Sequence, residues 1–193
     1  MPHLLYIHGF LSSPASHKAV QVKQWLAIHR PDIAYHCPAL TAYPGQTRHT
    51  LETLVEQLLP EPVYLMGSSL GGYWATWLVE KYGLRALLIN PAVKPSMLNP
   101  DYVNVELKNY HSDDTYILTE QDVEELSAVD VNKIQFHDNY WLMVQTGDET
   151  LDYRLAVEKY SGCKQLIEDG GDHSFQNFDR CIAEAIEFLQ LKS

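Results

Sequence analysis

Apolar residues fall in two alternating rhythms along the chain. Leu4-Leu5-Tyr6-Ile7 is a short continuous apolar run, the pattern of a strand buried on both faces. After it, Val22, Trp25, Leu26 and His29 recur at spacings of three and four, which predicts a helix that Ser16 can cap and Pro31 stops. Residues 33–36 form a weaker second strand. Pro44-Gly45 marks a turn, and Leu51, Leu54, Val55, Leu58 and Leu59 then share one helical face that ends at Pro60. Val63-Tyr64-Leu65-Met66 predicts a third strand and residues 70–82 a helix, with Gly83 just past its end. Strands follow at 85–90, 140–145 and 164–168, and Phe178, Ile182, Ile186 and Leu189 line a closing helix.

Strands alternating with helices predict a parallel sheet covered on both faces, in a single domain over residues 1–193. Residues 91–139 break the alternation. That stretch is polar and aromatic, with ten acidic residues against three lysines. It includes Thr119-Glu120-Gln121-Asp122, a helix-capping pattern before Val123 and Leu126. An excursion of this length between two core strands is expected to be a lid or a binding loop.

Composition narrows the function. The chain has 193 residues, 46% apolar and 20% charged, with a net charge of −11. Such a balance repels a phosphate backbone, so no nucleic-acid partner is expected. No apolar run reaches the roughly 20 residues of a membrane span, and the opening Met1-Pro2-His3 shows no basic leader, so a cytoplasmic location is expected. Cys37, Cys163 and Cys181 are odd in number and widely spaced, which fits buried thiols better than a disulfide framework or a zinc site.

The chemistry concentrates where the third strand meets its helix, at Gly67-Ser68-Ser69-Leu70-Gly71-Gly72. A nucleophile on a tight strand-to-helix turn needs glycine two residues to either side, and Ser69 would stand near a helix N-terminus that favours developing negative charge. Serine needs a base. Of nine histidines, His173 in Gly170-Gly171-Asp172-His173-Ser174 sits between the last strand and the last helix, at the same edge of the sheet. The base needs an orienting carboxylate, and Asp148 comes first after the fifth strand; Asp152, Glu149 and Asp172 remain alternatives. The acyl oxygen needs two amide donors, assigned to Leu70 and, from the loop His8-Gly9-Phe10, to Phe10. His8 is read as bracing that loop.

These segments together resemble the α/β-hydrolase superfamily. The Gly-Ser-Ser-Leu-Gly-Gly turn, the Thr-Gly-Asp-Glu-x-Leu-Asp-Tyr segment and the start directly at the first of these strands look like the bacterial YqiA-type esterase family. The resemblance implies a mostly parallel six-stranded sheet of order 2-1-3-4-5-6 without the superfamily's usual two first strands. It also implies a Ser69–His173–Asp148 triad supported by His8, Gly9, Gly67 and Gly71. Ser68 departs from the histidine many relatives carry there. The expected activity is hydrolysis of a small-molecule carboxylic ester or acyl thioester, without metal or organic cofactor. Tyr102, Tyr110, Tyr116 and the Tyr140-Trp141 pair could line an acyl pocket, although aromatics of this kind more often serve core or lid packing. The same residues also serve acyltransferases, lactonases and small-amide hydrolases. Competing readings are a hydrolase-like fold that captures a ligand without turnover, and a flavodoxin-like module holding phosphate on Ser12, Ser13 and Ser16.

Overall fold

The computed structural model describes residues 1–95 and 98–190. Its main sheet joins β1 (His3–Ile7), β2 (Ala34–His36), β3 (Val63–Ser68), β4 (Arg85–Ile89), β7 (Tyr140–Gln145) and β8 (Lys164–Glu168). The spatial order is β2-β1-β3-β4-β7-β8, which is 2-1-3-4-5-6 when these six alone are counted. All five pairings are parallel. Parallel neighbours require crossovers, and helices supply them: α1 (His17–His29), α2 (Pro44–Leu58), α3 (Leu70–Tyr82) and α5 (Tyr153–Lys159), with α6 (Ile182–Gln190) after the last strand. The α5 helix is absent from the apolar rhythm; Asp152 caps it by accepting from Arg154 N–H.

Strand alternation sends side chains to two cores. Leu5, Ile7, Leu65, Leu88 and Leu142 face α2 and α3. Leu4, Tyr6, Met66, Leu87, Ile89 and Met143 face α1 and α6. The strands are therefore buried on both sides, which is why they read as unbroken apolar runs.

Local details differ from expectation at several points. Pro44 does not precede α2 but opens it, at a position where its missing N–H costs nothing. Ser16 stands at the N-cap of α1, yet its side chain makes no cap bond. Phe178–Cys181 is a 3₁₀ turn leading into α6. Cys181 is buried, whereas Cys37 and Cys163 are only partly so, and all three are free thiols.

The excursion contains more structure than its polarity predicts. β5 (Glu106–Lys108) and β6 (Thr115–Ile117) form an antiparallel hairpin, and α4 (Glu120–Ser127) follows with the capping box formed by Thr119 and Asp122. Leu118, Leu126, Val129 and Ile134 are buried in the core shared with α2 and α3. The hairpin end is tied to the loop after β1: Tyr110 N–H donates to Leu11 O at 2.8 Å, and Asn109 Nδ2 to Ser12 O at 3.0 Å.

Candidate active site

In a parallel sheet all strands end at one edge, and ligands settle there. The five segments of interest each follow a strand at that edge: His8-Gly9-Phe10 after β1, Ser69 after β3, Asn90 after β4, Asp148 after β7 and His173 after β8.

Ser69 occupies a turn of φ 56° and ψ −121°, a conformation a non-glycine residue adopts only when its surroundings impose it. Three backbone bonds impose it here. Ser69 N–H donates to Ile89 O at 3.1 Å, and Ser69 O accepts from Gly72 N–H and Ala92 N–H, each at 2.9 Å. The flanking glycines are steric necessities. A β-carbon on Gly67 would stand 2.3 Å from Gly71 O, and one on Gly71 would stand 1.9 Å from Ile7 O. The turn thus packs against β1 and against itself with no room for a methyl group.

The histidine loop comes within reach of this turn. His173 Nε2 lies 3.1 Å from Ser69 Oγ. His173 Nδ1 meets both carboxylate oxygens of Asp148, at 2.9 and 3.0 Å. The Asp148 side chain is 1% exposed. Burial works to raise its pKa, but the His173 hydrogen bond and the amides of Leu151 and Thr150 outweigh burial and hold it below the ordinary carboxylate value. An ionised Asp148 only accepts, so Nδ1 carries the ring hydrogen and Nε2 is left to accept from the serine hydroxyl.

The other acids have other partners. Asp152 caps α5 and pairs with Arg154. Asp172 accepts from Ser174 Oγ and Gln176 Nε2. Glu149 reaches the same histidine at a different atom: its Oε2 accepts from the His173 backbone N–H at 3.0 Å.

The β1 loop approaches the serine closely, since a β-carbon on Gly9 would stand 3.3 Å from Ser69 Cβ. Leu40 N–H donates to His8 Nε2 at 3.0 Å, so Nδ1 bears the hydrogen and donates to Gly9 O at 2.9 Å. Both ring nitrogens of this 3%-exposed side chain are engaged, and burial pushes its pKa down. Among the described residues, the amides of Phe10 and Leu70 have no hydrogen-bond acceptor. Phe10, Ser69 and Leu70 line one recess together.

Two residues of this edge went unread in the sequence. Asn90, 2% exposed and at φ 40°, donates through Nδ2 to the carbonyls of Asp172 and His173, both at 3.0 Å. Its Oδ1 accepts from Gln145 N–H at 3.0 Å. Gln145 in turn accepts at Oε1 from Asp172 N–H and Gln176 N–H and donates through Nε2 to Gln176 O. The available signal was a polar residue at the tip of an otherwise apolar strand, as in Tyr-Trp-Leu-Met-Val-Gln. Lys18 adds a third tie, Nζ to Ser174 O at 2.6 Å, and burial pulls its pKa down to about 8.

The aromatic candidates separate. Tyr110 lines the cavity beside Ser69, and Tyr102 meets the edge of Phe10. Tyr116 packs on Tyr43. Tyr140 and Trp141 are core residues, buried against Tyr160 and Phe188 respectively, because β7 is covered on both faces. Among the described residues no group of three or more His, Cys, Asp or Glu side chains has metal-binding geometry, and no helix is long and apolar enough to cross a membrane.

Sheet order, elbow and loop positions define the α/β-hydrolase fold, and solved structures agree. Mouse alpha/beta hydrolase domain-containing protein 10 superposes with a TM-score of 0.75 at 16% identity, covering 98% of this chain and 91% of that one. Ferulic acid-bound Est1E from Butyrivibrio proteoclasticus gives 0.71 at 16% identity, over 97% and 87%. The ydeN gene product of B. subtilis gives 0.67 at 13% identity, over 99% and 100%. Within that fold class the chain belongs to UPF0227, described as an uncharacterised protein family, whose model matches residues 3–190. A UPF0227 protein of Shewanella woodyi is 33% identical over 98 residues, covering 48% of this chain and 52% of the relative. The chain spans about half the length of the curated relatives it matches.

Proposed function

We propose that this protein is a serine hydrolase that cleaves carboxylic esters or acyl thioesters through an acyl-enzyme. One observation carries the reading: His173 stands 3.1 Å from Ser69 Oγ through Nε2, while Asp148 holds its Nδ1. Solvated serine and histidine side chains have no reason to meet in this tautomer.

In the first half-reaction Ser69 Oγ forms a bond to the acyl carbon as its proton passes to His173 Nε2. The amides of Phe10 and Leu70 donate hydrogen bonds to the carbonyl oxygen as negative charge develops on it. The bond to the leaving oxygen or sulfur then breaks, and His173 returns the proton to that atom. In the second half-reaction water attacks the Ser69 ester and gives a proton to His173; the bond from the acyl carbon to Ser69 Oγ then breaks, His173 returns the proton to Oγ, and the carboxylic acid departs. The chemistry draws on no metal or organic cofactor.

The test is labelling with a fluorophosphonate, read by intact mass and peptide mapping. The reading expects a single adduct on Ser69 that is slowed by orders of magnitude in His173→Ala. A folded wild-type protein that takes no label would turn the site into one for ligand capture.

A further inference from the structure

Two cavities of unlike size and character open on Ser69. Among the described residues, the smaller is about 40 Å³ and is lined by Phe10, Leu70, Ala92, Pro95 and Leu151, with Thr150 its polar side chain besides Ser69 itself. The larger is about 370 Å³ and includes His173. That volume lies in the range of ordinary ligand sites.

The mechanism assigns a half of the substrate to each. His173 must give its proton to the departing atom, so the leaving group lies on the side that His173 lines. The acyl chain then points the other way, past the Phe10 and Leu70 amides, into the small apolar recess. About three water-sized groups fill that recess.

The wall of the large cavity has a definite chemistry. It presents Ser12, Ser16, His17, Tyr110 and His111. Ser16 makes no cap bond, Ser12 meets the excursion through its backbone carbonyl, and His111 bonds Asn109 through its backbone N–H. Their side chains are left as hydroxyls and imidazoles, groups that both donate and accept. The charged groups are already engaged: Lys18 with Ser174 O, Glu149 with the His173 amide, Asp172 with Ser174 and Gln176. An anion entering here would meet Asp172 and Glu149 beside Lys18, and the aromatic faces of Phe10 and Tyr110 stand among hydroxyls and imidazoles. A neutral polyol offers partners to these donors and acceptors, and its C–H faces can lie against the two rings.

We infer that the substrate is a short-chain ester of a neutral, sugar-sized polyol, with an acyl group of about two to four carbons in the recess and the hydroxylated leaving group in the large cavity. This inference rests on the proposed serine-hydrolase reading and specifies it.

The experiment measures kcat/KM of the full chain on acetyl, butyryl and octanoyl esters of glucose. The matching ethyl esters and a butyryl ester of glycerol phosphate are run beside them, and Ser69 labelling is done on the same preparation. The glucose esters should exceed the ethyl esters by about tenfold or more, and octanoyl should fall about tenfold or more below butyryl, since each misfit methylene or unmet polar group is worth roughly that factor. Ser16→Val with His111→Leu should raise KM for butyryl glucose more than for ethyl butyrate, and Leu151→Ala should move the acyl preference to longer chains. Parity of sugar and ethyl esters, a preference for octanoyl, or a preference for the phosphate-bearing ester would each overturn the inference while a labelled Ser69 leaves the hydrolase reading standing. No label and no cleavage would remove both.

Discussion

Asn90 Nδ2 holds the backbone carbonyl of His173 at 3.0 Å, although one residue follows β4 and the other lies in the loop after β8. The bond joins the end of β4 to the loop after β8 across the intervening β7. Because Asn90 also binds Asp172 O and Gln145 N–H, the histidine loop is set by a buried polar clamp as well as by the Asp148 carboxylate.

Asn90→Ala should therefore act on the histidine at a distance from the reaction. It strands two carbonyls and one amide, each worth about 1–3 kcal/mol when buried unpaired. Unfolding in urea should show a loss of stability. In the folded variant kcat should fall about 10- to 100-fold with KM nearly kept, because a misplacement near 1 Å has that effect. A loss confined to KM would contradict a positioning role.

Asp148→Asn and Asp152→Asn separate the two carboxylates. An amide at 148 no longer enforces the hydrogen on Nδ1, so kcat should fall by about 10⁴. An amide at 152 still caps α5 and lies outside the His173 network, so ester hydrolysis should stay within a small factor of wild type. Rates on a common 4-nitrophenyl ester decide, and a reversed ranking would move the acid to Asp152.

His8 makes stability depend on pH in a known direction. Its pKa in the folded protein lies below the ordinary 6.5, burial being the main cause. The unfolded chain therefore binds the extra proton first, and its stabilising contribution is complete above 6.5 and lost as pH falls through that value toward the folded one. Thermal unfolding between pH 8 and 5 should show a drop in Tm that is smaller in His8→Gln. An unchanged slope would mean that the ring is protonated without cost.

Gly71→Ala should fail on packing alone. The new methyl would meet a β1 carbonyl at 1.9 Å, a backbone atom that cannot turn aside. A loss of about 3 kcal/mol or more, or no folded protein, is expected from circular dichroism and denaturant titration.

Much of the fold was legible because strands buried on both faces leave unbroken apolar runs, as at Leu4–Ile7 and 140–145. The serine turn was legible because glycine is forced there by contact. The hairpin at 106–117 was not, since both its strands are largely exposed and carry no apolar rhythm. The clamp was hidden for the opposite reason: Asn90 and Gln145 read as strand-end polar residues, and only the side-by-side placement of β4, β7 and β8 brings their partners together. Tyr140 and Trp141 are core residues, the commoner role of such aromatics, and the sequence left a pocket role open because one-dimensional spacing does not say how far along a strand the sheet edge lies.

The bonds from Tyr110 to Leu11 and from Asn109 to Ser12 give the excursion a mechanical meaning. The hairpin whose tip lines the large cavity hangs on the same loop that carries Phe10. Leu11 and Ser12 lie one and two residues from Phe10. The far wall of the cavity and the strand-end loop beside Ser69 are therefore one bonded assembly, and neither can shift without straining the two bonds between them.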